Sequence, residues 1–367
     1  MLLFKEKLNY QDPFNVVFLC GNQYSPKSGR DKRIILKDFL LNSGINFQIV
    51  LLEENFVFTQ NKKGYLAYDK IFVRNLSEVE NLAALYADKI IIIHETISTA
   101  AELGMFASNQ LLTEKICVLV PDDISIEEKK ISTFIKLAFF NKLDFENKKP
   151  LTIKYYPDVE IHRSSANKSE YHTFFYENKV GENLGKKILN FANRLDDNKF
   201  IEFRHTLYDK ANHNKNIISY FISKDKKVVN IFLYADILKI QLLSMFAVEI
   251  FRTEFRKEKT LSAHIRFFEN EYKKILLNSI CNIEGLATDG YVLNLEVVGI
   301  DSCKLRKAIG YFLYMLQAIG FISLEQSSSD SNNNHRKITI KQSLEKCLPQ
   351  FRNYIHEKIT TEFGGIL

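Results

Sequence analysis

At 367 residues the chain is too long for one ordinary domain and suits two or three. A hydrophobic fraction of 46% with 26% charged residues lets each part build a core, and a formal charge of +6 is too small to name a nucleic-acid partner, though compatible with one. The five cysteines (Cys20, Cys117, Cys281, Cys303, Cys347) never reach metal-ligand spacing. That argues against a structural zinc site and, with a start that lacks signal-peptide order, for a reducing cytoplasmic setting. No apolar run reaches bilayer length, so no membrane association is expected.

Residues 1–160 alternate strand and helix patterns at the lengths of βαβ units. A β-rich run at 16–20 predicts a strand ending at Gly21, with a polar loop at 22–29. Ile34, Ile35, Phe39 and Leu40 recur at helical spacing, predicting a helix over 33–42 stopped by Ser43 and Gly44. A second strand is expected at 47–52 and irregular chain at 53–65. Leu76, Val79, Leu82, Ala83 and Tyr86 share one face of a helix over 76–86. A strand at 90–93, a helix at 100–112 and a strand at 116–120 follow. Pro121-Asp122-Asp123 breaks the chain before a helical pattern at 126–140. Strands this uniformly apolar are covered on both faces. The expected class is α/β, with a doubly wound, Rossmann-like, mostly parallel sheet.

The pattern changes after Pro157. Residues 161–184 read as a connecting segment and 185–367 as a mainly helical region. Within it, a helix at 301–319 with Ser302 near its cap, a strand at 321–325, a polar tip at 327–335, a returning strand at 337–340 and a closing helix at 343–359 outline a winged helix. Lys304, Arg306 and Lys307 open its helix, and Arg336 and Lys337 lie on the wing. These five suit nucleic-acid contact, while such units also bind protein. The aromatic segments 155–156 and 174–176 read as core or interdomain contacts.

The stretch from Lys89 to Ala107 carries the chemistry. It reads as a buried strand, a short polar loop and a helix with Glu102 in its first turn. The loop after the first strand, the polar residues Glu53, Glu54 and Asn55, and the loop after Ile93 converge at carboxyl ends of strands, where open parallel sheets bind ligands. Gly21 permits close backbone approach. Ser98 and Thr99 precede Glu102, and amides at that helix start suit an anionic or sugar group. With no metal cluster, Ser–His pair or phosphate loop, an ionised Glu fits glycosidic chemistry without a cofactor. It attacks or stabilises a sugar carbon of oxocarbenium character while a base departs. The alternative is a solvated acid placed for the helix dipole. His94 is either a proton donor to the base or a strand-end residue satisfied by backbone. Arg30, Lys32 and Arg33 either bind phosphate or form a solvated helix face.

An ordered set of motifs adds a resemblance: Phe18-Leu-Cys-Gly21, Arg33 opening a helix with Asp38-Phe39-Leu40, Val79-Glu-Asn-Leu82, Ala87 to Ile93, Ala101-Glu-Leu-Gly-Met-Phe-Ala107 with Asn109, and Lys115-Ile-Cys-Val118. It resembles the nucleoside 2-deoxyribosyltransferase-like effectors of bacterial retrons over about the first 120 residues. The resemblance implies a catalytic domain at 1–160 with Glu102 as nucleophile and Gly21, Arg33 and Asn81 around the substrate; residue type and position alone add Ser98, Thr99 and His94. The sequence departs from the pattern at Ser98, where a glycine is usual, and Glu95 does not align firmly with the acid that transferases keep in that loop. It further implies an anti-phage toxin, held by a reverse transcriptase and its multicopy single-stranded DNA, that consumes NAD or a (deoxy)nucleotide and forms a homo-oligomer or higher assembly. Rival readings are a nucleotide sensor without turnover and a DNA-binding regulator.

Overall fold

The computed structural model describes residues 1–21, 31–52, 76–94, 96–119, 143–144, 149–150, 154–156, 160–163, 169–172, 178–193, 199–298, 305–325 and 337–358. The expected loop at 22–29, the irregular stretch at 53–65, the break at 121–123, the helix at 126–140, the aromatic segment 174–176, the cap at Ser302 and the tip at 327–335 lie outside the described residues. Two compact units form, each from separated stretches of chain. One comprises Asp12–Leu51 and Ser77–Asp196, the other Met1–Gln11, Leu52–Leu76 and Asp197–Leu367.

The first unit is built on a five-stranded parallel sheet. Its elements in chain order are β1 (Asn15–Cys20), α1 (Lys32–Leu41), β2 (Phe47–Val50), α2 (Leu76–Tyr86), β3 (Lys89–Ile93), α3 (Ile97–Ser108), β4 (Ile116–Leu119), β5 (Lys154–Tyr156) and α4 (Glu182–Ala192). The strand order is β2-β1-β3-β4-β5, and all four pairings are parallel. Side chains alternate between faces. Val17, Leu19, Ile91, Ile93, Cys117 and Leu119 therefore share one face, where they meet Ile35, Leu36 and Leu40 of α1 and Leu184, Ile188 and Phe191 of α4. Phe18 points the other way and meets Phe106 of α3 edge-on at 6.0 Å. With both faces covered, Ile90 to Ile93 lose all contact with water, each burial stabilising by about 1.5–3 kcal/mol.

Polar ties fix the strand starts. Asp88 accepts the Val16 amide at 2.9 Å. The buried ammonium of Lys115 donates to the carbonyls of Leu85 and Ala87 at 3.0 and 2.9 Å, giving a buried charge the partners it requires. Gly185 of α4 lies so close to α1 that an added Cβ would stand 2.7 Å from Cζ of Phe39. Two short strands, Glu160–Arg163 and Ser169–His172, pair antiparallel at the start of the stretch expected to be a connector.

The second unit holds a mixed sheet and five helices among the described residues: β6 (Lys199–His205), β7 (Ile217–Ser223), β8 (Val228–Tyr234), α5 (Ala235–Phe246), α6 (Glu249–Phe255), α7 (Leu261–Glu284), β9 (Val292–Val298), α8 (Leu305–Ala318), β10 (Ile322–Glu325), β11 (Lys337–Ile340) and α9 (Gln342–Phe351). The sheet runs β9-β8-β7-β6 and ends on Lys7–Tyr10 from the chain start. This sheet corrects the expectation of a mainly helical region from residue 185 onward. β8 passes without a turn into the almost wholly buried α5, and an apolar run buried on all sides has no period to read. A second correction falls on the closing helix. α9 stops at Phe351, and Ile355–Glu357 pairs antiparallel with Leu2–Phe4, so pairing with the distant chain start overrides the helical spacing. α8, β10 and β11 appear where expected, with β10 and β11 antiparallel. Among the described residues no helix is long and apolar enough to cross a membrane.

Candidate active site

The strand order turns back between β1 and β3, since β2 lies on one side of β1 and β3 on the other. Carboxyl ends of parallel strands diverge at such a point and leave a crevice. Cys20 pairs with Ile92, so Gly21 and His94, each the residue directly after its strand, emerge together. A Cβ at Gly21 would lie 3.0 Å from Cδ of Arg33 and 3.3 Å from Cβ of Ile93. The missing side chain is what lets Arg33 lie across this strand end.

Arg33 is the second residue of α1 and only 4% exposed. Asp31, the N-cap, accepts the Arg33 amide at 2.8 Å, and its carboxylate also takes Nη2 at 2.8 Å and Nε at 3.2 Å. Capping and pairing by one carboxylate fix the guanidinium at the crevice. Sequence reasoning missed Asp31, although an Asp just before the periodic apolar residues is a readable N-cap signal.

The loop after β3 is equally well tied. The His94 amide continues the sheet ladder to the Leu119 carbonyl at 2.7 Å. Thr96 caps α3, accepting the Thr99 amide at 3.4 Å, while Thr99 Oγ1 accepts the Thr96 amide at 3.0 Å. This reciprocal capping box uses Thr where Glu or Gln is usual. Thr99 is buried and its Oγ1 is 3.4 Å from His94 Nδ1. Burial lowers the pKa of His94 below its ordinary 6.5, so the ring is neutral at physiological pH.

The cap position corrects one expectation. α3 starts at Ile97, not near residue 100, so Glu102 is its sixth residue and falls in the second turn; the first turn carries no acid. Ser98 and Thr99 are helical residues, not loop. Glu102 is half-buried beside the stripe of Thr99, Leu103 and Phe106 that faces the sheet. Residues three apart on a helix are neighbours, so Thr99 touches His94 and stands beside Glu102. Gly21, Arg33, His94, Thr99 and Glu102 thus gather at adjoining strand ends. Ser98 is exposed at the rim, and Asn81 is half-buried midway along α2.

Of the five wing basics, three lie among the described residues. Arg306 donates to Glu269 at 2.7 Å, the Lys307 ammonium lies 5.9 Å from the Tyr311 ring centre, and Lys337 is exposed at the start of β11. Lys304 and Arg336 lie outside the described residues, as do Arg30, Glu53 to Asn55, Glu95 and Cys303. No group of three or more His, Cys, Asp or Glu among the described residues is placed to hold a metal.

The family model described as STM3845 retron effector protein matches residues 29–323. The chain belongs to that family. The match runs from before α1 to the first residues of β10 and so includes every residue of the crevice except Gly21. Membership in a retron effector family places the chain in retron anti-phage defence. No curated protein matches the chain significantly.

Proposed function

We propose that this retron effector is a toxin that cleaves the N-glycosidic bond of a nucleotide-type substrate, NAD or a (deoxy)nucleotide, with Glu102 as nucleophile. The observation that carries the reading is the meeting of Glu102, His94, Thr99, Gly21 and Arg33 at the strand-order reversal of a parallel sheet. We read that sheet as Rossmann-like and doubly wound, of the nucleoside deoxyribosyltransferase kind. The Glu102 carboxylate attacks C1′ of the sugar as the bond to the base lengthens, and the base leaves with the bonding electrons. Arg33, held by Asp31, offers positive charge to a phosphate of the substrate. Gly21 lets the chain end of β1 approach the ligand closely.

The helix and strand pair formed by α8, β10 and β11 is read as a winged unit that docks the partners, a reverse transcriptase and its multicopy single-stranded DNA. The deciding experiment is mass spectrometry of NAD and nucleotide pools after expression of the chain alone, wild type against Glu102→Gln. The expected result is loss of one pool with release of its free base, abolished by the substitution. Unchanged pools, both alone and after reconstitution with the reverse transcriptase and DNA, refute the enzyme and leave a nucleotide sensor.

A further inference from the structure

The hydrogen bonds around Thr99 decide the state of the neighbouring histidine. Thr99 Oγ1 lies 2.8 Å from the Thr96 carbonyl, 3.0 Å from the Thr96 amide, which donates to it, and 3.4 Å from His94 Nδ1. A hydroxyl has one proton to give. Giving it to Nδ1 would exchange a well-formed bond for a long one, so the proton stays with the Thr96 carbonyl. The hydrogen between Thr99 and His94 must then belong to Nδ1. A neutral imidazole carries one hydrogen, so Nε2 is bare. Among the described residues nothing hydrogen-bonds to Nε2.

We propose that Thr99 is a positioning residue for His94. Its hydroxyl accepts the Nδ1 hydrogen and so leaves Nε2 as an unprotonated acceptor at the end of β3. The capping box makes this arrangement rigid, because the same hydroxyl that closes the first turn of α3 orients the ring.

The use made of that acceptor rests on the glycosidase reading. Once the base has left, C1′ is esterified to the Glu102 carboxylate. A water molecule then attacks C1′ and forms a new C1′–O bond. The C1′–O bond to Glu102 breaks, its electron pair returns to the carboxylate, and the proton of the attacking water passes to Nε2. A ring with hydrogen on Nε2 could only donate at this point. His94 is therefore the base of the second step rather than the acid of the first.

Nitrogen-15 NMR of the full chain, labelled at its 8 histidines, tests the tautomer directly, with His94 assigned by His94→Gln. The expected spectrum near neutral pH has a bare, pyridine-type Nε2 and a protonated Nδ1. Thr99→Ser keeps that pattern, and Thr99→Val moves both nitrogens toward the average of the two tautomers. A protonated Nε2 in the wild type, or an unchanged His94 signal in Thr99→Val, overturns the proposal whatever the enzymology. If the NMR pattern holds and wild-type protein, reconstituted with its partners, releases no base, the glycosidase reading falls and the tautomer assignment stands. If base is released, Thr99→Val slows it on the order of tenfold or more and Thr99→Ser restores it. Equal loss in both variants overturns the catalytic use of Nε2.

Discussion

His264 on α7 has no exposed surface. Its ring packs 4.4 Å from that of Phe255, and its Nε2 accepts the amide of Ile338, in β11, at 3.2 Å. An imidazole nitrogen that accepts must be unprotonated. Burial is the main cause that pushes its pKa from 6.5 to about 4; the charge of Lys337 adds to it, and a backbone contact at Phe255 opposes it. The folded value lies below the unfolded one, so the unfolded chain takes the proton first as pH falls. Stability is complete above about pH 6.5 and is lost as pH drops toward about 4. The full difference amounts to about 3 kcal/mol, of which about 2 kcal/mol falls between roughly pH 7 and pH 5. The comparison is wild type against His264→Gln, which keeps an acceptor but does not titrate. Hydrogen exchange over α7 and β11, corrected for the intrinsic rate, reads the effect. Wild-type protection is expected to fall roughly 20- to 30-fold across that interval, and the variant's far less. A parallel fall in both proteins refutes the assignment of a neutral, accepting His264.

Three further outcomes test the crevice and the core beneath it. Gly21→Ala sets a methyl 3.0 Å from Cδ of Arg33 and 3.3 Å from Cβ of Ile93; it is expected to reduce base release by about tenfold as the Arg33 stem is displaced, with a loss of about 1 kcal/mol in equilibrium urea unfolding from the crowding. Gly185→Ala meets the Phe39 ring at 2.7 Å, and equilibrium urea unfolding should show a loss of about 1–3 kcal/mol from overpacking between α4 and α1. Lys115→Met leaves the carbonyls of Leu85 and Ala87 without the ammonium that bonds both, and the same assay should register about 1–3 kcal/mol.

The first unit was legible where the period was clean. α2 was expected at 76–86 and spans Leu76–Tyr86, and β1, β3 and β4 fall within a residue of their expected ends. Their uniform apolarity also announced a parallel sheet covered on both faces, as the burial of Ile90 to Ile93 reports. What could not be read is what depends on distant chain. α4 was expected to open a later helical region, yet Leu184, Ile188 and Phe191 pack against Leu36 and Ile91. Its amphipathic stripe announces a helix but not a partner. Leu2–Phe4 and Lys7–Tyr10 pair with strands near residues 356 and 200, a register that no local pattern encodes. At the crevice, residue types were readable and local bonding was not: the Thr99 hydroxyl bonds the Thr96 amide and carbonyl and lies 3.4 Å from His94 Nδ1.

The start of α3 bears most on what Glu102 is for. An acid placed for the helix dipole belongs in the first turn, where the field of the unpaired amides is strong. An acid placed for capping belongs at the third helical position, reaching back to the N-cap amide. Glu102 is at neither. Thr99 holds the third position and makes the reciprocal bond with Thr96. The first turn is therefore closed without any carboxylate, and neither capping nor the dipole accounts for the acid. What remains is a half-buried carboxylate one turn deeper, beside the residue that orients His94 and at the strand ends where Gly21 makes room for Arg33. A half-buried carboxylate at a strand-end crevice, away from the cap and dipole positions, fits the proposed role in chemistry.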